Sequence, residues 1–127
     1  MASILVIEDE ALVRETIKDG LERGGHEVVV AVDGRDGMSK LACRSYDVVV
    51  TDLIMPEQEG LETIRLIRRD YPTMRIVAIS GGGRHLGADY LKSAKMLGAD
   101  CAIEKPFPTS RLRDCVASCL AGDRKAS

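Results

Sequence analysis

Aromatic side chains are scarce in this chain, whose 127 residues include one phenylalanine, three tyrosines and no tryptophan. A protein that binds a flavin usually stacks the ring system of the cofactor against aromatic side chains. The composition therefore weighs against a flavin-binding protein.

An excess of positive charge is also missing. Lysine and arginine total 18 against 20 aspartates and glutamates, which gives a net charge of −2. Domains whose surface binds nucleic acid are usually basic. We therefore expect no nucleic acid to be bound by this domain, although a local basic patch is compatible with these totals.

Long hydrophobic runs are absent, and none approaches the roughly 20 apolar residues of a membrane-spanning helix. The N-terminal segment MASILVIE lacks the charged n-region and the small-residue cleavage site of a secretory signal peptide. We therefore expect a cytoplasmic protein that makes no membrane contact.

Clusters of metal-binding cysteine and histidine are missing as well. The four cysteines form no CxxC pair and the chain has only two histidines, which argues against a zinc site. We expect reduced, partly buried thiols. Cys115 and Cys119 fit this expectation because they belong to an apolar stripe at helical spacing. The other members of the stripe are Leu112, Val116 and Leu120.

Short apolar runs alternate with helical patterns along the chain. The runs, rich in β-branched residues, occupy residues 4–7, 28–32, 48–51 and 76–79, with a weaker one at 101–104. Helical periodicity covers residues 11–23, 35–45, 60–70, 87–98 and 109–121. Runs that are apolar throughout are typical of parallel strands covered on both faces. The sequence thus predicts one α/β domain over residues 1–121, with right-handed crossovers and helices on both sheet faces. Residues 122–127 are predicted to be a flexible tail or a truncated linker.

Polar side chains follow four of the five predicted strands. They are Glu8, Asp9, Asp52, Ser80 and Lys105. The carboxyl ends of parallel strands meet at one edge of a sheet, where such folds place their functional groups. Each residue also has an ordinary structural interpretation: a helix cap for the acidic pair, turn residues for Asp52 and Ser80, and a solvated lysine. Their arrival at one edge favours a shared site.

Three carboxylates at one edge would repel each other by roughly 3 kcal/mol per pair at about 5 Å and an effective dielectric constant near 20. Either one of them is protonated or a hard divalent cation binds, and Mg²⁺ suits a carboxylate site that also holds a phosphate. Lys105 and Ser80 can hold additional phosphoryl oxygens. Asp52 lies between the acidic pair and the lysine in strand order, so we assign it as the nucleophile of a phosphoryl-transfer site.

The chain resembles the receiver domain of bacterial two-component response regulators. The matching motifs, in order, are IEDE (7–10), TDLIMP (51–56), GLE (60–62), ISG (79–81), GAD (98–100) and KPF (105–107). Each motif alone is weak, but their order at strand ends over residues 3–121 is specific. The resemblance implies a doubly wound, flavodoxin-like (βα)₅ fold with strand order 2-1-3-4-5.

The resemblance also implies a role for each site residue. Asp52 would be the phospho-acceptor in a site for Mg²⁺ or Mn²⁺. Asp9 would bind the metal directly, Glu8 through water, and Ile54 through its backbone carbonyl. Further roles are implied for Ser80, which would bond the phosphoryl group, for Lys105, which would contact it, and for Pro106, whose preceding peptide bond would be cis.

The implied function is signalling rather than turnover of an external substrate. The phosphoryl donor would be a sensor histidine kinase or a histidine phosphotransfer protein. The output would act on a downstream protein target or on an output domain of the same protein. The resemblance leaves open a homodimer through the fourth helix, fifth strand and fifth helix.

Two features depart from the family pattern. Many receivers carry an aromatic switch residue where this chain has Ala102, so a ring cannot report phosphorylation there. Switching would then depend on Ser80 and the backbone beside it. The segment SGGGRHLGADY (80–90) is glycine-rich and slightly longer than usual, which predicts a mobile loop.

Other functions remain as alternatives. An aspartyl phosphatase of the haloacid-dehalogenase type needs a second aspartate two positions after the nucleophile, but Ile54 occupies that position and cannot transfer a proton. The remaining alternatives are an unphosphorylated interaction module and a flavodoxin-like flavin binder. The complete acidic pocket argues against the first, and the scarcity of aromatics argues against the second.

Overall fold

Five strands and four complete helices make up the described part of the chain. A computed structural model describes residues 2–53, 60–80, 92 and 94–122. The strands are β1 (Ser3–Ile7), β2 (Glu27–Ala31), β3 (Val48–Asp52), β4 (Arg75–Ser80) and β5 (Cys101–Glu104). The helices are α1 (Ala11–Arg23), α2 (Gly34–Cys43), α3 (Gly60–Asp70) and the C-terminal helix (Thr109–Ala121).

The fourth predicted helix, at 87–98, is only partly described. Residues 92 and 94–97 are helical. The rest of that prediction, most of the glycine-rich segment and residues 123–127 lie outside the described residues. No helix of the described residues combines the length and apolar character that a bilayer crossing requires.

All five strands are parallel, and their order is β2-β1-β3-β4-β5. The central strands contribute mostly Val and Ile, which suit a sheet packed on both faces. Every residue of β3 is buried. This topology confirms the predicted doubly wound α/β fold.

The sheet separates two hydrophobic cores. One core packs α1 and the C-terminal helix against the sheet through Ile17, Leu21, Leu112, Cys115 and Val116, among others. The other packs α2 and α3 against the opposite face and includes Leu41, Ile64, Ile67 and Ala94. Successive strand residues alternate between the two cores, because side chains of a strand point to opposite faces.

For the nine elements that the structure describes completely, the predicted ends are correct to within two residues. The prediction placed β2 at 28–32, whereas the strand covers Glu27–Ala31 and Val32 is exposed. Similarly, α2 was predicted at 35–45 but covers Gly34–Cys43. Its start is set by Asp33, whose carboxylate accepts a hydrogen bond from the Asp36 N–H at 2.8 Å. This is the standard geometry of an N-terminal cap.

Arg68, near the end of α3, ties three segments together. Its guanidinium donates hydrogen bonds to the carbonyls of Pro72 (2.9 Å), Met74 (2.6 Å) and Gly98 (2.7 Å). It also pairs with the Asp100 carboxylate at 3.5 Å. The arginine thereby fixes the connections that lead into β4 and β5, and with them the positions of both strands.

Arg75, the first residue of β4, holds the end of the C-terminal helix. Its guanidinium donates to the carbonyls of Cys119 at 2.6 Å and Gly122 at 2.7 Å. Both carbonyls lie at the C-terminal end of the helix, where backbone carbonyls are available to groups outside the helix. The contact therefore fastens the helix to the sheet edge where β4 begins.

Candidate functional site

The carboxyl edge of the sheet brings together polar groups from four strands. Glu8 follows β1, Asp52 ends β3, Ser80 ends β4 and Lys105 follows β5. Because the strands are parallel and in register, these ends lie side by side. Backbone hydrogen bonds extend the pairing beyond the strands, since the Lys105 N–H donates to the Ser80 carbonyl at 2.7 Å.

Three carboxylates form the centre of the site. One oxygen from each of Glu8, Asp9 and Asp52 lies within 4.8 Å of the others. Glu8 and Asp52 are 1% and 4% exposed, whereas Asp9 is exposed. Two buried carboxylates and one accessible carboxylate present hard oxygen donors of the kind that Mg²⁺ prefers.

Lys105 bridges the two buried carboxylates. Its Nζ lies 3.2 Å from Glu8 Oε1 and 3.2 Å from Asp52 Oδ2. The residue comes directly before a cis peptide bond to Pro106, as the resemblance implied. The ammonium of Lys105 thus offsets part of the negative charge that the ends of β1 and β3 bring to one place.

The pKa of Glu8 reflects this crowding. Burial and the neighbouring Asp52 carboxylate raise the pKa of Glu8 from 4.5 to about 7, against the opposing effects of Lys105 and the Glu10 N–H. Burial alone would lower the pKa of Lys105, but the Asp52 and Glu8 carboxylates outweigh it and raise that pKa. Without a metal, the site therefore holds a charged lysine and a Glu8 carboxyl that takes up a proton near neutral pH.

Ser80 lies beside this cluster at the end of β4. It is fully buried, and its hydroxyl has no hydrogen-bond partner among the residues that the structure describes. Buried hydroxyls normally have such a partner. The Ser80 hydroxyl is therefore available as a donor to a group that binds at the edge of the sheet.

Arg14 positions the acidic pair, a role that the sequence did not reveal. Its Nη1 donates to the backbone carbonyls of Glu8 at 2.9 Å and Asp9 at 3.4 Å. The only signal in the sequence was an arginine in the second turn of α1, which is common on solvated helices. The cap position of α1 is Glu10, whose side chain makes no capping hydrogen bond. The acidic pair therefore does not serve as the helix cap.

The predicted site residues fall into two groups. The structure places Glu8, Asp9, Asp52 and Lys105 in one cluster, with Ser80 on the neighbouring strand end. Ile54, predicted to offer its carbonyl to the metal, lies outside the described residues.

Ala102 lies on β5, half-buried on the face of the sheet that packs against α2 and α3. Its methyl group cannot supply the ring that switches in many receivers.

Comparison with known sequences identifies the family. The profile described as "Response regulator receiver domain" matches residues 4–117. The chemotaxis protein CheY of Thermotoga maritima is 33% identical over 110 residues, which cover 86% of this chain and 89% of that protein. A probable transcriptional regulatory protein of Picosynechococcus is 37% identical over 94% of this chain and 48% of its own length. FleR of Pseudomonas aeruginosa is 31% identical over 99% of this chain and 26% of its own length. The chain therefore spans half or less of these two regulators.

Comparison with solved structures leads to the same family. A response regulator receiver domain protein from Clostridium thermocellum superposes with a TM-score of 0.87 at 32% identity, over 94% of both chains. The chemotaxis response regulator CheY4 of Vibrio cholerae gives 0.83 at 26% identity, over 94% of this chain and 99% of that one. With this fold and acidic edge, the chain belongs to the response regulator receiver domain family of two-component systems.

Proposed function

We propose that this receiver domain accepts a phosphoryl group on the carboxylate of Asp52. The observation that carries the proposal is the convergence of Asp52, at the end of β3, with Glu8 and Asp9 after β1 and Lys105 after β5. A lone buried aspartate would be a poor acceptor, because its attack on a phosphoryl group would bring negative charges together without compensation. The ammonium of Lys105 and the hydrogen-bond donors around Asp52 compensate these negative charges.

The acidic cluster fits a divalent cation, Mg²⁺ or Mn²⁺. Glu8, Asp9 and Asp52 would hold it, with the Ile54 carbonyl as a further ligand by analogy with the family. All protein donors are hard oxygens, and the exposure of Asp9 leaves a path for an ion to enter. The bound cation would neutralise charge on the transferring phosphoryl oxygens.

The remaining chemistry belongs to residues of this chain. An oxygen of Asp52 attacks phosphorus, the bond from phosphorus to the donor's imidazole nitrogen breaks, and the imidazole leaves with a proton. Lys105, already 3.2 Å from Asp52, stays near the new acyl phosphate and pairs with its oxygens. The Ser80 hydroxyl donates to another phosphoryl oxygen, which gives this buried donor a partner that the described residues do not supply.

The domain acts as a signalling switch in this proposal rather than as an enzyme on external substrates. It catalyses only its own phosphorylation and its slow hydrolysis, because Ile54 offers no acid or base for turnover. Its donor is a cytoplasmic sensor histidine kinase or a histidine phosphotransfer protein. Phosphorylation adds about −1.5 to −2 charge at Asp52 and biases the surface through which the domain binds its target, its output domain or a second copy.

Phosphorylation from a small donor tests the proposal. The wild-type protein, Asp52→Asn and a surface control, Asp114→Asn, are incubated with Mg²⁺ and acetyl phosphate and weighed by intact-mass spectrometry. We expect one added phosphoryl mass in the wild type and in Asp114→Asn, and none in Asp52→Asn. The proposal fails if the wild type gains nothing or if Asp52→Asn gains as much.

A second measurement separates the metal from the acceptor. Titration with Mg²⁺ followed by beryllofluoride is monitored through backbone amide shifts. We expect Mg²⁺ alone to shift the amides of Glu8, Asp9 and Asp52, and beryllofluoride to add shifts at Ser80 and Lys105. Shifts spread evenly over the surface, without this focus, would contradict the assigned metal site.

A further inference from the structure

The loop between β1 and α1, residues 8–10, carries two of the three site carboxylates and is bound by a single residue of the helix. The guanidinium of Arg14 donates hydrogen bonds to the carbonyls of Glu8 at 2.9 Å and Asp9 at 3.4 Å. The backbone N–H of Arg14 donates to the Glu10 carbonyl at 2.9 Å. Three successive carbonyls of the β1–α1 loop therefore accept hydrogen bonds from Arg14.

The β1–α1 loop is also attached at both of its ends. On the sheet side, the Glu8 N–H donates to the Ala31 carbonyl at 3.0 Å. On the helix side, the Glu10 N–H donates to the Glu8 carboxylate at 3.2 Å, but the Glu10 side chain makes no capping hydrogen bond. Asp9 lies between these attachments and accepts a hydrogen bond from Arg14. The orientation of Asp9 therefore depends on this arginine.

Arg14 and Lys105 contact the site in different ways. Lys105 pairs with the carboxylates of Glu8 and Asp52, each at 3.2 Å. In the part of the chain that the structure describes, the half-buried guanidinium of Arg14 donates to main-chain carbonyls and forms no ion pair with the three site carboxylates. An arginine paired with these carboxylates would compete with a metal for their oxygens. An arginine bound to the main chain can instead orient the carboxylates toward a metal.

We propose that Arg14 is a positioning residue for the divalent cation. By holding the main chain of the β1–α1 loop, it keeps the Asp9 carboxylate near that of Asp52 and thereby sets the affinity of the site for Mg²⁺. Oxygens of these two carboxylates lie within 4.8 Å of each other, although Asp9 is exposed. This role rests on the metal site of the proposed function. Groups that orient metal ligands from outside the coordination sphere contribute about 10- to 100-fold to metal affinity.

The positive charge of Arg14 acts on a metal in the opposite direction. A guanidinium near the site repels a divalent cation, so a variant that lost only this charge would bind Mg²⁺ more tightly. A variant that loses the hydrogen bonds to the β1–α1 loop should bind Mg²⁺ more weakly. The sign of the change in affinity therefore distinguishes a positioning role from a purely electrostatic one.

Mg²⁺ binding by the full wild-type chain is compared with binding by Arg14→Met and Arg14→Lys. Dissociation constants come from backbone amide shifts during a Mg²⁺ titration, and circular dichroism checks the fold of each protein. Methionine keeps an unbranched side chain but offers no donor, so the dissociation constant should rise about 10- to 100-fold in Arg14→Met. Lysine keeps the charge without the planar guanidinium, so Arg14→Lys should give an intermediate value.

Lys18→Met is the matched control, because it removes the same charge one turn further along α1. The contact of Lys18 is an ion pair with Glu22 at 3.3 Å, on the surface of the same helix. The affinity of Lys18→Met for Mg²⁺ should equal that of the wild type or slightly exceed it.

A second measurement separates metal binding from phosphoryl transfer. The rate of phosphorylation by acetyl phosphate is followed as a function of Mg²⁺ concentration. In Arg14→Met, the Mg²⁺ concentration that gives half of the maximal rate should rise by the same factor as the dissociation constant. The maximal rate should stay close to that of the wild type, because Arg14 contacts the β1–α1 loop rather than the acceptor Asp52.

The outcomes for the metal site and for Arg14 can be told apart. A wild-type protein without Mg²⁺-dependent shifts at Glu8, Asp9 and Asp52 would refute the metal site and the role of Arg14 together. If the wild type binds Mg²⁺ there and Arg14→Met binds it as tightly or more tightly, only the positioning role is overturned. Should Arg14→Met fail to fold, Arg14→Lys decides, and an unchanged affinity for Mg²⁺ overturns the role.

Discussion

The Nζ atom of Lys105 lies 3.2 Å from Oδ2 of Asp52, within ion-pair distance. The same nitrogen contacts Glu8 Oε1 at 3.2 Å. The lysine therefore compensates two buried carboxylates at once, and removing it affects both. This geometry leads to the first prediction.

Replacing Lys105 with methionine should raise the pKa of Glu8 above its value of about 7, because a favourable charge is lost beside a buried carboxylate. The measurement is an NMR titration of the Glu8 side-chain carboxyl carbon in metal-free protein. Lys95→Met, a change at an exposed lysine, is the control and should leave the Glu8 titration unchanged. An unchanged Glu8 titration in Lys105→Met would show that the lysine does not reach this carboxylate in solution.

The pKa of Glu8 also predicts how stability depends on pH. Folding raises this pKa from 4.5 to about 7, so the folded state binds the proton more tightly than the unfolded state does. In metal-free protein the resulting stabilisation is complete below pH 4.5 and is lost as the pH rises to about 7, a loss of about 3 kcal/mol in the free energy of unfolding.

Urea unfolding across this pH range measures the effect, with Glu8→Gln as the comparison because glutamine does not titrate. As the pH rises across this range, the free energy of unfolding of the wild type should fall relative to that of Glu8→Gln. Saturating Mg²⁺ should flatten the profile of the wild type, because the metal competes with the proton. Parallel profiles for both metal-free proteins would contradict the assigned pKa.

Arg68 provides a prediction about the scaffold. Substitution by lysine should lower the free energy of unfolding by about 2 to 4 kcal/mol, because a single ammonium cannot replace a planar guanidinium that donates to four backbone carbonyls and pairs with Asp100. Arg65→Lys is the matched control on the same helix. Arg65 pairs with Glu62 on the exposed surface, where solvent screens the pair, so the same substitution there should lower the free energy of unfolding far less. Chemical unfolding followed by circular dichroism compares the two, and equal losses would refute the role of Arg68.

Two glycines with positive φ allow the destabilisation caused by backbone strain to be compared with that caused by steric crowding. Gly25 has φ +89° and nothing within 4 Å of an added Cβ, whereas Gly98 has φ +119° and Arg68 Nε at 2.9 Å from that position. Gly25→Ala should destabilise by about 1 kcal/mol, from strain alone. Gly98→Ala should destabilise by about 2 to 3 kcal/mol, because the methyl group also displaces the Arg68 side chain. Urea unfolding of both variants checks the order, and a larger loss at Gly25 would contradict it.

Local patterns predicted the helices better than the strand ends. The bounds predicted for α1, α3 and the C-terminal helix agree with the structure, because apolar periodicity ends where capping or turn residues begin. Strands buried on both faces have no polar alternation to mark their limits. Glu27 and Arg75 therefore continue the sheet although their side chains are polar.

From the sequence, the site could be predicted only to the extent that strand order determines which residues meet. Strand order brings Glu8, Asp52 and Lys105 to one edge, but the sequence could not show which residue of the acidic pair is buried. The structure shows that Glu8 points inward and Asp9 outward. The contacts of Arg14 and Arg68 to backbone carbonyls were also hidden, since they depend on loop conformations that no periodic pattern encodes.

The sheet acts as a partition between two sets of packed side chains. Ile4 and Val6 contribute to one core, while Leu5 and Ile7 on the same strand contribute to the other. Substitutions on opposite sides share few neighbours, so their energetic effects should add. One layer can thus accumulate changes, or be redesigned for a new binding partner, while the other preserves the fold.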